Sequence, residues 1–517
     1  NDNKQVVTQN VGLEKTYDSL LKGVSGKRLV RRISGGAFVP VEGSEIEPEN
    51  GKDIVTTLDV NIQDITQTAL MRMMISNEAL EGCAIVMEVA TGKIKAIANL
   101  GRMPDGSYFE TDNYALKTSE PGSIIKLVTL LSVLEDKYVT TSDMIDINNG
   151  SWMLNGRNIR DAEKSPKSLL TIKESFEHSS NVAMAKLAYT YYSKNPAQFI
   201  KHYEALHLTA RTGIDLKEEF RPLVKNPSRK DWHLQTLPSM GFGYEVMLSP
   251  LQLLMVYNAV ANEGKLMKPY LVNRVEKDGN LLHEFEPQVL NNNICSEETL
   301  RQLKDCLDAV CIQGTAKSIF KDAVYHAAGK TGTTKVNDGK FKYGDAVYQS
   351  SFAGYFPAEN PKYSCIVVIK NKPRAAKYFG GAVAAPVFRE IADKLYAESA
   401  DRQQLFIAKA ATDSNKYRWS GYGSELKNVL ETMNVQYTDS ITSGKWGVVT
   451  NNAYTPLLKD LSISKQTVPD VKGMGLKDAL HLLENMNIKV TVKGKGKVTS
   501  QSLDAGLAIN TGQTMAL

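Results

Sequence analysis

The sequence contains no run of about 18 apolar residues, so no stretch reads as a membrane-spanning helix. Its first residues, Asn1-Asp2-Asn3-Lys4, are polar, and no apolar core of a secretory leader follows them. Net charge is nearly absent: 62 basic and 57 acidic residues leave +5 on 517 residues. That balance argues against nucleic acid, whose binders carry a concentrated basic patch. Cysteine is scarce, with only Cys83, Cys295, Cys306, Cys311 and Cys365. The number is odd, the positions are scattered and no pair has C-x-x-C spacing. A disulfide scaffold and a zinc ribbon are therefore excluded, leaving five small buried hydrophobes. The seven histidines form no H-E-x-x-H pair, which argues against a metal site. What is present suffices for packed cores: 42% of residues are hydrophobic and 23% charged. The length corresponds to about three domains of roughly 150 residues.

The pattern along the chain sorts into regions. Residues 1–50 are mixed, and the basic cluster Lys27-Arg28, Arg31-Arg32 among glycines predicts an exposed strand-and-turn segment. Apolar spacing predicts a helix over Asp59–Met74. Two strands follow, Ala84–Val89 and Ile94–Ile97, joined at the Thr91-Gly92 turn. Helical patterns dominate from 121 to 265. Strands Tyr348–Tyr355 and Tyr363–Lys370 and a helix Val387–Ser399 close the region. Strands at both ends with helices between predict one mixed α/β layered domain over 51–400, its first and last strands sharing one sheet. The tail repeats itself. Residues 425–435 align without a gap on 478–488 at a constant offset of 53 residues, both carrying Leu-Glu-x-Met-Asn and then a β-branched residue. Two small tandem modules are predicted, 412–462 and 463–517.

Three segments carry chemistry. In Glu120-Pro121-Gly122-Ser123-Ile124-Ile125-Lys126, a helix starts after Pro and Gly and is apolar on all sides. Lys126 inside it is costly unless paired or neutral. Ser123 lies three residues earlier on the same face, in a first turn where the helix dipole favours negative charge. A serine hydroxyl needs an adjacent base, and a desolvated lysine is one. Ser-x-x-Lys also occurs at Ser19/Lys22, Ser318/Lys321, Ser424/Lys427 and Ser462/Lys465, without the apolar helix. The second segment, Ser179-Ser180-Asn181, joins two helical stretches, Leu170–Glu177 and Val182–Tyr191. Ser179 can relay protons and Asn181 can bond a substrate amide; helix capping by Ser180 or Asn181 is the plainer alternative. The third, Ala328-Gly329-Lys330-Thr331-Gly332-Thr333-Thr334, is β-compatible. Gly332 admits close backbone approach, and Lys330, Thr331 and Thr333 offer a cation and hydroxyls to a carboxylate. A peptide can add along such an edge. A phosphate loop fails because position 324 is Val.

In this order, S-x-x-K, S-x-N and K-T-G form the set of penicillin-binding proteins and β-lactamases. The chain resembles the class B (monofunctional) penicillin-binding proteins, the D,D-transpeptidases that cross-link peptidoglycan, from about Gly12 to Ala400. Supporting segments include Gly241-Phe242-Gly243-Tyr244-Glu245, Ala259–Gly264 and Phe379–Phe388. The tail resembles PASTA modules through Val468-Pro469-Asp470-Val471-x-Gly473 and Val498–Ser502; the earlier module lacks the Val-Pro-Asp opening and is degenerate. Together these features are most similar to the division-specific, septal (FtsI-type) members.

The resemblance implies a penicillin-binding transpeptidase fold, α+β, with a mainly antiparallel sheet covered by helices, an all-helical subdomain and small α+β PASTA modules. It implies Ser123 as acylated nucleophile, Lys126 as general base, and Ser179 and Asn181 as proton relay and substrate holders. Lys330, Thr331, Gly332 and Thr333 would bind the terminal carboxylate of the stem peptide or of a β-lactam. The N–H groups of Ser123 and Thr333 would form an oxyanion hole. No cofactor is implied. Implied partners are D-Ala-D-Ala stem peptides, β-lactams and divisome proteins including a glycosyltransferase, at the periplasmic face of the inner membrane. Residues 1–50 then read as the remnant of an N-terminal pedestal or linker, and the missing apolar run as an anchor removed. A β-lactamase needs a Glu-x-x-x-Asn pair. The match at Glu276–Asn280 has an Asp-Gly core and reads as a hairpin tip. A D,D-carboxypeptidase and a non-enzymatic β-lactam sensor or wall-binding protein stand as alternatives.

Overall fold

The computed structural model describes residues 11–163, 167–398, 419–433, 435, 437–442, 445–451, 456–510 and 512–517. The chain divides into two units, Asn1–Tyr396 and Ala397–Leu517.

The first unit is organised by α1 (Val60–Ser76), β1 (Glu81–Glu88), β2 (Ile94–Arg102), β3 (Tyr108–Phe109), α2 (Lys126–Glu135), α3 (Asn181–Tyr192), α4 (Pro250–Ala261), α5 (Glu297–Ile312), β4 (Ala328–Lys335), β5 (Tyr348–Phe356), β6 (Tyr363–Lys370) and α6 (Gly380–Glu398). The six strands form one antiparallel sheet in the order β4-β5-β6-β1-β2-β3. The predicted sharing of a sheet by the first and last strands is what closes the domain: Cys365 pairs with Val86 and Ile366 with Ile85. Gly82–Met87 and Ser364–Lys370 are buried without a break, so helices cover both faces of these central strands.

Local chemistry explains the element ends. Asp59 caps α1, its carboxylate accepting the N–H groups of Asn61 (3.1 Å) and Ile62 (3.2 Å). All twelve residues of α4 are buried. Its polar members are satisfied inside: the Gln252 amide donates to the Ala210 carbonyl (2.8 Å) and the Asn258 amide to the Val89 carbonyl (3.1 Å). The hairpin read at 276–280 is present, with Asp278 and Gly279 both at positive φ (52° and 78°), as a two-residue turn demands. Helix α6 starts at Gly380, seven residues before the predicted start. Pro386, immediately before the predicted start, sits inside the helix. Its predicted end, Ser399, lies outside the described residues, as do 412–418 and Asn434 of the tail.

Two further differences stand. A helix, Gly12–Leu21, precedes the basic segment, which itself folds as an exposed hairpin pairing Val30–Arg32 with Phe38–Pro40. The stretch predicted as helical from Leu170 starts as a short strand, Leu169–Thr171, with the helix at Ile172–Glu177. There Thr171 forms a capping box with Glu174, which fixes the start. The five cysteines are free thiols, and four of them are buried. No helix among the described residues is long and apolar enough to cross a membrane.

In the second unit, helix Gly423–Thr432 and helix Leu476–Glu484 occupy equivalent places in the repeat. The first lies with a four-stranded sheet, in the order Trp419–Tyr422, Trp446–Asn451, Pro456–Asp460, Thr438–Ser440. The second precedes strand Lys489–Thr491, which pairs in parallel with Thr514–Ala516 over a core of Val468, Val471, Leu483 and Met515.

Behind β5 the first unit packs an aromatic cluster: the Phe352 ring lies 4.7 Å from Phe388 and 5.6 Å from Phe320. Phe352→Ala is expected to destabilise this unit by about 3–5 kcal/mol, read as a lowered midpoint in denaturant unfolding.

Candidate active site

The site is assembled where α2, the Ser179 turn and edge strand β4 meet. Ser123 lies in a 3-10 turn, Gly122–Ile125, and the α-helix begins at Lys126. The sequence placed Ser123 inside the first α-turn; the turn is instead 3-10, and the chain enters it through Gly122 at φ 59°. The Gly122 N–H donates to the Gly243 carbonyl at 3.0 Å, and the buried Tyr257 hydroxyl donates to the Ile124 carbonyl at 2.7 Å. A side chain at Gly243 (φ 99°) would collide with the Gly122 backbone, so the Gly241-Phe242-Gly243 segment acts as a close brace for this turn.

Lys126 is fully buried. Its amine donates to the Ser179 carbonyl (2.6 Å), the Asn181 side-chain carbonyl (2.7 Å) and the Ser179 hydroxyl (3.2 Å). These bonds bring Lys126, Ser179 and Asn181 together as predicted. Among the described residues the Ser123 hydroxyl has no hydrogen bond to this amine, which is drawn instead to the three oxygens of the Ser179–Asn181 turn. Burial lowers the Lys126 pKa to about 7, against the pull of the Asp161 carboxylate, which favours the ammonium.

Ser179 sits at φ 58°, a region that costs a non-glycine residue energy and that here turns its carbonyl onto Lys126. Ser180 caps α3, accepting the Ala183 N–H at 3.0 Å, so the plainer reading holds for that residue. Asn181 is the first residue of α3 rather than part of a loop.

Lys330, Thr331, Gly332 and Thr333 lie on β4, the outermost strand of the sheet. The Lys330 amine is buried, donates to the Thr331 carbonyl (3.0 Å) and lies 5.6 Å from the centre of the Phe176 ring. Burial, and then the nearby Lys126, push its pKa well below the ordinary lysine value. Thr331 shares a 2.6 Å hydroxyl contact with Thr315, and Thr333 accepts the Gly380 N–H at 3.0 Å. A side chain at Gly332 would strike the Ser351 hydroxyl and press on Ile124. Glycine therefore lets β4 lie against the Ser123 turn.

The sequence reading missed Asp161. Its two oxygens accept the Ser180 hydroxyl (2.8 Å) and the N–H groups of Asn181 (2.6 Å) and Val182 (2.9 Å). It completes the α3 N-terminus and aims Asn181, whose amide also donates to the Arg160 carbonyl (2.8 Å). Asp161 follows a hairpin, Ser151–Leu154 with Arg157–Arg160, and its partners lie about twenty residues on, so no local pattern announces it.

Comparison with known proteins agrees with this geometry. The family "Penicillin binding protein transpeptidase domain" matches residues 82–393, and "PASTA domain" matches 466–517. The chain belongs to the penicillin-binding protein transpeptidase family. It is 29% identical over 394 residues to the peptidoglycan D,D-transpeptidase FtsI of Buchnera aphidicola, covering 74% of this chain and 65% of that protein. It is 26% identical to stage V sporulation protein D of Bacillus subtilis over 97% of this chain and 71% of that protein. Among solved structures it is similar to penicillin binding protein 3 of Mycobacterium tuberculosis complexed with aztreonam, with a TM-score of 0.62, 26% identity, and coverage of 75% of this chain and 84% of that one. The chain spans between 62% and 65% of the length of four FtsI relatives it matches.

Because the Asp161 charge favours the Lys126 ammonium, Asp161→Asn is expected to move the Lys126 titration from about pH 7 to lower pH. Side-chain nitrogen NMR of lysine-labelled protein, assigned with Lys126→Gln, checks the shift.

Proposed function

We propose that this chain is a serine-type peptidoglycan D,D-transpeptidase, acylated at Ser123 by D-Ala-D-Ala stem peptides and, in the same way, by β-lactams. The observation that carries the reading is the Lys126 amine, buried and held by Ser179 and Asn181 three residues after Ser123. A lysine with a pKa of about 7 is half neutral near neutral pH, which suits it to accept the Ser123 proton.

Ser123 Oγ attacks the carbonyl carbon of the penultimate D-Ala as Lys126 takes its proton. The N–H groups of Ser123 and Thr333 hold the oxyanion. The terminal D-Ala leaves as an amine, protonated from Lys126 through Ser179, and its carboxylate rests on Lys330, Thr331 and Thr333. An acceptor amine from a second stem then attacks the Ser123 ester, forms the cross-link and returns the proton to Ser123. Gly332 keeps the wall of the cleft free of side chain, and Asn181 holds the peptide amide.

In the cell we place this activity in septal wall synthesis, at the periplasmic face of the inner membrane, with divisome proteins and a glycosyltransferase as partners. Residues 1–50 are read as pedestal or linker, 51–400 as the transpeptidase domain, 412–462 as a degenerate PASTA-like module and 463–517 as a PASTA module. A second reading, the same chemistry during sporulation, is favoured by one observation: a relative that aligns across the tail as well is a stage V sporulation protein.

Labelled penicillin is expected to form a stable adduct at Ser123 that Ser123→Ala abolishes; an adduct surviving in that variant overturns the assignment. The neutral amine is the working form, so the labelling rate should hold above about pH 7 and fall as pH drops below it, by about tenfold per unit. With lipid-linked stem substrate, cross-linked dimer should exceed the trimmed free stem; the reverse ratio indicates a carboxypeptidase.

A further inference from the structure

Beside the Ser123 turn lies an open cleft of about 510 Å³ lined by Arg157, Tyr244, Glu245, Lys335 and Tyr343. Its residues adjoin those of the site: Lys335 is two residues beyond Thr333, Tyr244 follows the Gly243 that braces Gly122, and the Tyr343 hydroxyl donates to Glu120 (2.8 Å), three residues before Ser123. None of its residues has a part in the acyl-transfer steps above.

The acids at and near this cleft, Glu245 and Glu120, each have partners of their own. One Glu120 oxygen accepts the Glu245 N–H (2.9 Å) and the other the Tyr343 hydroxyl. Glu245 accepts Thr236 (2.8 Å) and Lys225 (3.1 Å), with His233 at 3.4 Å. Burial pushes its carboxyl up, but these partners outweigh it and hold the pKa below the ordinary value. The cations are not served to the same degree. Arg157 spends one N–H on the Ser239 hydroxyl (2.9 Å) and stands 4.0 Å from Glu245, leaving most of its five donors unspent. Among the described residues no carboxylate bridges Lys335, whose amine stands 6.0 Å from the centre of the Tyr348 ring. Arg157, with donors to spare beside Glu245 at 4.0 Å, and Lys335, which no carboxylate bridges among the described residues, attract an anion rather than an ammonium. Arginine's planar fork suits a carboxylate. Tyr244 and Tyr343, ring centres 6.2 Å apart, wall the space for the methylenes that carry it.

We propose that Arg157 and Lys335 form a subsite for a side-chain or α-carboxylate of a stem-peptide residue other than the terminal D-Ala, so that the enzyme discriminates acidic stems from amidated or purely basic ones. The inference rests on the stem peptide being the substrate. The carboxylate belongs either to the donor stem or to the acceptor, where it neighbours the attacking amine.

The test is competition with labelled penicillin for Ser123. In the donor arm, D-Ala-D-Ala peptides carry a free carboxylate or its carboxamide on the third residue. In the acceptor arm, acceptor amines carry or lack a carboxylate on the amine-bearing carbon. In one arm or both, the acid should compete about tenfold better than its neutral partner, the size of one charge-assisted contact. That ratio should collapse toward one in Arg157→Gln/Lys335→Gln, shrink in each single variant and recover in part in Arg157→Lys. Because the readout is a ratio, a general loss of activity does not imitate it. Equal competition in both arms, or a ratio that persists in the double variant, overturns the subsite while penicillin labelling at Ser123 still stands. Absence of labelling at Ser123 overturns the acyl-transfer reading and the subsite with it.

Discussion

The burial of one lysine governs this site. Lys126 opens a helix that is buried from Lys126 to Leu134, and the cost of burying the amine is met by three oxygens from a single turn. Every neighbouring feature follows from keeping those oxygens in place. Ser179 holds a left-handed backbone so that its carbonyl faces inward, Ser180 and Asp161 fix the helix start that carries Asn181, and the hairpin ending at Arg160 supplies the acceptor for the Asn181 amide.

The second constraint is closeness. The Ser123 turn is clamped between Gly243 on one side and Gly332 on the other, and at both places a single added carbon would collide. At Gly243 backbone meets backbone, and the turn that carries Ser123 is held by the Gly122 N–H bond to the Gly243 carbonyl and by the Tyr257 hydroxyl. The sheet contributes rigidity: strand β4 is zipped to β5 over its full length, from Ala328 opposite Tyr355 to Lys335 opposite Tyr348, and its outer side is left for the site.

Much of this was legible in the sequence because the signals were local. A lysine in an apolar helix, a serine three residues earlier, a Ser-x-Asn between helices and a glycine inside a β-compatible run each state their chemistry within a few residues. The sheet closure was also legible, since the strands at both ends of the domain were strongly apolar. What was not legible depends on tertiary pairing. Asp161 meets its partners across a loop, Thr315 meets Thr331 only once α5 is in place, and Tyr257 is an ordinary core position until the fold brings it to Ile124. The 3-10 winding at Ser123 was missed because Gly122 reads as a helix breaker without saying which way the chain will turn. The start of α6 was placed late, since the run Gly380–Ala385 ahead of Pro386 also packs as helix.

Lys126 and Lys330 are both buried, and the Lys126 charge helps to lower the Lys330 pKa, so two full positive charges there would oppose each other. A ligand carboxylate arriving at Lys330 changes that balance. It favours the ammonium at Lys330, while its own negative charge offsets the positive charge gained there. Binding an anionic ligand is thereby coupled to proton uptake at Lys330. An occupied site therefore carries a proton that an empty one lacks, taken up where the ligand carboxylate rests.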